Sequence, residues 1–187
     1  MFQAVDSDAG FGKALDAYLR RWPEESDQVA LFAKLWREGR QGPDPYARAR
    51  LEGHFTASSW LLDRTCSRVL LTHHRKLDRW LQLGGHADGE RDLRAVALKE
   101  AQEESGLSGL VPEGDIFDLD RHWIPEHKGV PGHWHYDVRY VVRATAGDEF
   151  RVSDESHALA WRHIGAVAGD ATLDPSLRRM ARKWLRL

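Results

Sequence analysis

Apolar and polar positions change period along the chain. Ala14, Leu15, Tyr18 and Leu19 share one helical face, with Asp8 as a candidate cap, until Pro23 interrupts them. Val29, Leu31, Phe32, Leu35 and Trp36 predict a second helix, capped by Ser26 or Asp27 and ended by Gly39. Gly42, Pro43 and Pro45 make a turn, and residues 46–51 predict a short third helix. From His54 the pattern becomes that of strands. Residues 54–63 and 68–76 predict two of them joined by a turn, and residues 80–83 a third that runs into Gly84. Further strands are expected at 116–123, 133–145 and 157–164, with a Gly- and Pro-containing loop at 128–132. A closing helix has Asp174 as its cap, Pro175 at its first position and an apolar face of Leu177, Met180, Ala181, Trp184 and Leu185. The Arg and Lys residues between these are expected to face solvent. The change of period divides the chain into a helical extension, residues 1–52, packed on the domain or on a second subunit, and a domain of residues 53–187.

Residues 84–107, GGHADGERDLRAVALKEAQEESGL, carry the candidate chemistry. Two glycines precede an acidic turn, and a helix follows that ends at Gly106. At about 100° per residue, Glu103 and Glu104 lie within roughly 60° of Glu100 around the axis. Leu93, Val96, Ala97 and Leu107 fall in the same sector, so an apolar face becomes a carboxylate face. Two unit charges ~4 Å apart repel by about 4 kcal/mol at an effective dielectric of ~20. Three partly buried carboxylates must protonate, splay apart or bind cations. Hard oxygen donors suit Mg²⁺ or Mn²⁺, and Mg²⁺ takes one or two carboxylates together with substrate phosphates. An isolated E-x-x-E-E at a helix end is otherwise a solvated acidic turn.

The stretch resembles the Nudix box of the Nudix hydrolase superfamily. Gly85 matches the opening glycine, and Glu100, Glu103, Glu104, Gly106 and Leu107 match the end. The family's first Glu falls on Arg91, with Glu90 one place early. Its Arg is Lys99, which keeps the charge without the forked geometry, and Ala101 is a small version of the aliphatic position. The resemblance implies an α/β fold, a Nudix-type α/β/α sandwich with a mixed sheet. It also implies metal bound by Glu100, Glu103 and Glu104, and cleavage of the pyrophosphate bond of a nucleoside diphosphate linked to another moiety. Mg²⁺ is the expected cofactor, with Mn²⁺ as a substitute. Lys99 would position the acidic cluster or offset its repulsion. Glu155, or Asp154, would add a carboxylate from outside the box. Two other readings accompany this one. The first is a nucleotide-binding module without turnover, motivated by Lys99 and the shifted early Glu. The second is a diphosphate isomerase of the same superfamily, which pairs metal-bound histidines with a reactive cysteine; Cys66 sits in no matching motif.

Outside the box, His86 follows the glycines and is a candidate phosphate or metal contact. His133, His135 and Asp137 alternate on one strand and share a face. They are candidates to face the substrate or to hold a transition metal, since imidazole suits Zn, Fe or Mn, with His122 and His127 as further donors. Gly85, His86, His133 and His135 are thus the candidate substrate side.

The 187 residues can bury a core. Net charge is −2, so no basic field for nucleic acid is expected. Cys66 is the single cysteine, which excludes an intramolecular disulfide. No apolar run approaches the ~20 residues of a membrane span, and MFQAVDSDAGFG lacks the basic start and apolar core of a signal peptide. A cytoplasmic enzyme acting on a small-molecule nucleotide or other diphosphate is expected, with homodimerisation open. Several of the eight Trp residues lie on predicted strands or helix faces and are expected in the core.

Overall fold

The computed structural model describes residues 7–127, 129–154 and 156–187. Helices α1 (Ser7–Arg21) and α2 (Ser26–Glu38) flank a short 3-10 turn, Pro23–Glu25. Strands β1 (Gly53–Leu62), β2 (Arg68–His74), β3 (Arg79–Leu81) and β4 (Leu83–His86) lead into α3 (Leu93–Ser105). Strands β5 (Leu110–Ile124), β6 (His133–Ala144) and β7 (Ser156–His163) follow, then α4 (Ile164–Gly169) and α5 (Pro175–Trp184).

One mixed sheet has the order β3-β2-β1-β6-β5, with β4 also paired to β1 and β7 to β2. The β1–β6 pair is parallel and the others are antiparallel. In β1, Phe55, Ala57 and Leu61 face one side and Trp60 and Leu62 the other, as a period of two requires. The first side is covered by α1, α2 and α3, through Leu15, Phe32, Val96 and Ala101 among others. The second is covered by α4 and α5, through Ile164, Val167, Leu177 and Met180. This is the Nudix-type α/β/α sandwich with an N-terminal helical extension.

Several sequence expectations are corrected. Residues 46–51 form turns, not a helix. There Arg50 donates to the Gly53 carbonyl at 2.7 Å, so the local bonds serve the start of β1. Asp8 lies inside α1 and does not precede it, and α2 begins at Ser26 with no side-chain cap bond. Strand β5 starts six residues earlier than expected, with register shifts between Glu113 and Asp118 that absorb Gly114. The α5 cations are not all solvated. Lys183 is buried and contacts Asp118, Glu25 and the Tyr18 hydroxyl at 2.6–2.7 Å. Arg179 reaches both Asp118 and Asp120. Asp118 is fully buried and also pairs with buried Arg139 at 3.2 Å. Pairing each buried charge in this way is what makes its burial tolerable.

Candidate active site

Asp92 caps α3 by accepting the N–H groups of Arg94 at 3.1 Å and Ala95 at 3.0 Å. Gly106 ends it in the left-handed conformation, φ 65°. Between them Leu93, Val96, Ala97 and Ala101 pack on the sheet and fix the rotation of the helix. That rotation carries Glu100 and Glu104 to β4. Glu104 is buried, and its Oε1 accepts the Gly84 N–H at 2.8 Å. The Glu100 carboxylate lies on Gly85 so closely that a Cβ there would stand 2.6 Å from Oε2. Gly85 is therefore a place where only a glycine leaves the carboxylate its room.

Glu103 is turned further out. Its side chain is 59% exposed, against 19% for Glu100, and it pairs with Lys99 at 3.2 Å. Lys99 also stands 3.4 Å from Glu100. The ammonium is held above its usual range, first by the bond to Glu103 and then by the charge of Glu100. The three box glutamates are thus a graded set, with two anchored on the glycine pair and one at the rim. The early acid Glu90 has a local role, accepting the Asp92 N–H at 2.9 Å ahead of α3. Arg91 stacks over Tyr46 and stands 3.6 Å from Asp44. In the intervening turn Asp88 forms a two-pronged pair with Arg48, a contact that sequence spacing did not suggest.

Strand β4 presents two chemistries on opposite faces. Gly85 meets Glu100, whereas His86 turns to the other side and packs against His54 and His135, with ring centroids 5.3 and 4.9 Å away. His133 and His135 lie together there as the alternation predicts, and parallel pairing of β1 with β6 adds His54 beside His135. Burial drives the His86 imidazole down to about 4 and the His135 imidazole to about 2, and it lowers His54 too. These rings are neutral near pH 7.

Asp137 does not join them. It is buried and accepts from Thr56, Ser58, Gln82 and Arg139 at 2.7–3.2 Å. His122 pairs with Asp120 at 3.3 Å and packs against His135, while His127 forms a bridge with Val130. Asp154 is an exposed turn residue, and Glu155 lies outside the described residues. Cys66 sits in the turn after β1, whose far end carries His54. The two are separated by about 25 Å of extended strand. Burial raises its thiol pKa, so it lacks the activation that the isomerase reading requires.

A mixed sheet held between helix layers, with a glycine strand leading into a helix of glutamates, defines the class of fold. The NUDIX domain family model matches residues 53–184, so the chain belongs to the NUDIX family. It is an enzyme of the pyrophosphohydrolase type. Similar solved structures include a NUDIX-family hydrolase from Clostridium perfringens, with 22% identity, a TM-score of 0.57 and coverage of 71% of this chain and 96% of that one. A C. elegans Ap4A hydrolase in a binary complex has 18% identity, a TM-score of 0.56 and coverage of 71% and 95%. A MutT protein from Methanosarcina mazei Go1 has 17% identity, a TM-score of 0.57 and coverage of 73% and 96%. At these identities the likeness concerns the fold. No curated protein matches the chain. No helix among the described residues is long and apolar enough to cross a membrane.

Proposed function

We propose that the chain is a divalent-metal-dependent hydrolase that cleaves the pyrophosphate bond of a nucleoside diphosphate linked to another moiety, acting on small molecules in the cytoplasm. The observation that carries this reading is the seating of Glu104 on the Gly84 N–H and of Glu100 on Gly85. Carboxylates held against a glycine backbone, with Glu103 at the rim, are a hard oxygen donor set of the kind Mg²⁺ or Mn²⁺ takes. Glu100, Glu103 and Glu104 would hold the ion. A bound ion would supply the positive charge that the phosphate oxygens and the attacking water both need.

The residues of the chain do the rest. Lys99 offsets the repulsion between Glu100 and Glu103. Gly85 lies beside Glu100 on the phosphate side of β4, and His86, His133 and His135, on the other face of that strand, are the candidate contacts for the rest of the substrate. A carboxylate of the box, or Glu155, takes the proton of the attacking water. The family names of the similar structures, MutT and Ap4A hydrolase among them, agree with a nucleotide substrate. Residues 1–52 are an extension of the catalytic domain at 53–187.

The test is a panel of ADP-ribose, a nucleoside triphosphate, a dinucleoside polyphosphate and a nucleotide coenzyme with Mg²⁺ or Mn²⁺. The Glu100→Gln, Glu103→Gln and Glu104→Gln variants are run beside the wild type. Hydrolysis of at least one compound, falling about 100-fold or more in the variants while folding is kept, is expected. No turnover with any compound, or unchanged rates in all three variants, would reject the reading.

A further inference from the structure

On the face of the sheet away from α3, His54, His133 and His135 each bring one ring nitrogen within 4.8 Å of the other two. His54 and His133 are buried, at 2% and 8% exposure. Their tautomers are fixed by what they touch. His54 Nδ1 stands 3.1 Å from the Arg50 carbonyl, and His133 Nδ1 stands 2.8 Å from the Pro131 carbonyl. A carbonyl only accepts, so both Nδ1 atoms carry the proton and both Nε2 atoms present a lone pair. The lone pair of His133 points into the cluster. His133 Nε2 lies 3.2 Å from His135 Nε2. His54 Nε2 is buried and has no hydrogen-bond partner among the described residues.

As a purely hydrogen-bonded cluster this arrangement is poor. A proton on His135 Nε2 satisfies His133 and leaves His54 Nε2 buried and unpaired, which costs about 1–3 kcal/mol. A cation removes that cost. We propose that His54, His133 and His135 form a second metal site, separate from the box glutamates, for a first-row transition dication of the Zn²⁺ type.

The donor set selects the ion. Three imidazoles without a carboxylate suit Zn²⁺ or its neighbours and not Mg²⁺, which demands oxygen. A tetrahedral ion with bonds of ~2.0–2.1 Å places its donors about 3.3 Å apart. The His133–His135 separation already meets that, and the other sides of the triangle need to close by no more than about 1.5 Å. The Arg50 and Pro131 carbonyls orient the ligand rings from behind, as second partners of metal-bound histidines do. Three protein ligands leave a coordination position for water or a substrate atom. Because His86 and Gly85 point to opposite faces of β4, this ion and the ion of the box would lie on either side of one strand.

The full-length chain, stripped with chelator, is titrated with Co²⁺, whose visible ligand-field band reports nitrogen coordination, and then with Zn²⁺. One Co²⁺ per chain is expected, displaced by Zn²⁺ and indifferent to a large excess of Mg²⁺. His133→Asn and His135→Asn each weaken Co²⁺ binding about 10–100-fold or more. The double variant Glu103→Gln with Glu104→Gln keeps the band. A wild type without a band overturns the proposal, as does a band lost in the glutamate variant and kept in the histidine variants. Side-chain nitrogen NMR of the wild type needs no substitution. Zn²⁺ should shift three Nε2 resonances, and unmoved resonances overturn the proposal even if the histidine variants fail to fold.

Discussion

The carboxylate of Glu104 accepts a 2.8 Å hydrogen bond from the backbone N–H of Gly84, at the far side of the loop that the helix closes. This bond fixes the distance between α3 and β4. The two glycines should answer differently to the same added methyl. At Gly84 a Cβ would stand 2.3 Å from Ser58 Cβ and 2.6 Å from the Ala57 carbonyl, neither of which can swing aside. Gly84→Ala should cost about 1–3 kcal/mol in chemical denaturation. At Gly85 the obstacle is the end of the Glu100 side chain, which can move. Gly85→Ala should melt near the wild type while hydrolysis drops by as much as ~100-fold, because a carboxylate displaced by about 1 Å is misplaced for chemistry.

Lys99 lies on the solvent side of Glu100 and Glu103. Exposed pairs of this kind add little to folding, so Lys99→Met should change stability by less than about 0.5 kcal/mol. Steady-state kinetics should nonetheless show a loss of roughly 10-fold, with Lys99→Arg close to wild type. Equal rates in all three proteins would mean that Lys99 is an ordinary surface cation.

Asp118 stands among Arg139, Arg179 and Lys183. Burial pushes its carboxyl pKa up, but the charges of Arg179, Arg139 and Lys183 outweigh that and hold it below the usual range. Asp120 behaves alike, with Arg139 as its leading cation. A folded-state pKa below the unfolded value gives stability that is complete above about pH 4–5 and lost as pH falls through the folded value. Urea unfolding followed from pH 7 to pH 3 should show that decline, and Asp120→Asn should flatten it. Asp118→Asn leaves buried cations short of a partner and should cost about 3–5 kcal/mol at pH 7.

The cap of α3 acts on folding more than on chemistry. Asp92→Ala removes two accepted N–H bonds and should cost about 1 kcal/mol by thermal melting. Glu100 and Glu104 lie at the other end of the helix, so turnover at low temperature should stay near wild type.

The box helix could be read in advance because Gly84, Gly85, the three glutamates and Gly106 act through local spacing, whereas its cap, Asp92, is one acid among several in the turn. The strands from His54 onward followed from alternation, and α5 from its cap and apolar face. What escaped depends on partners distant in sequence. His54 is one histidine in an apolar strand, and only the parallel β1–β6 pairing sets it beside His135. Lys183 and Arg179 read as surface cations because the acid that buries them, Asp118, comes from β5. Residues 46–51 have helical composition, but the turns there serve the start of β1. The short helix α4 lacks a side-chain cap, and its six residues gave no periodic signal.

The ammonium of Lys183 grips Glu25 and Tyr18 near the beginning of the chain while it is itself borne on the last helix. The opening helices and the closing one are latched into one mechanical piece. Loosening either end loosens the other, and heat should melt both in a single step.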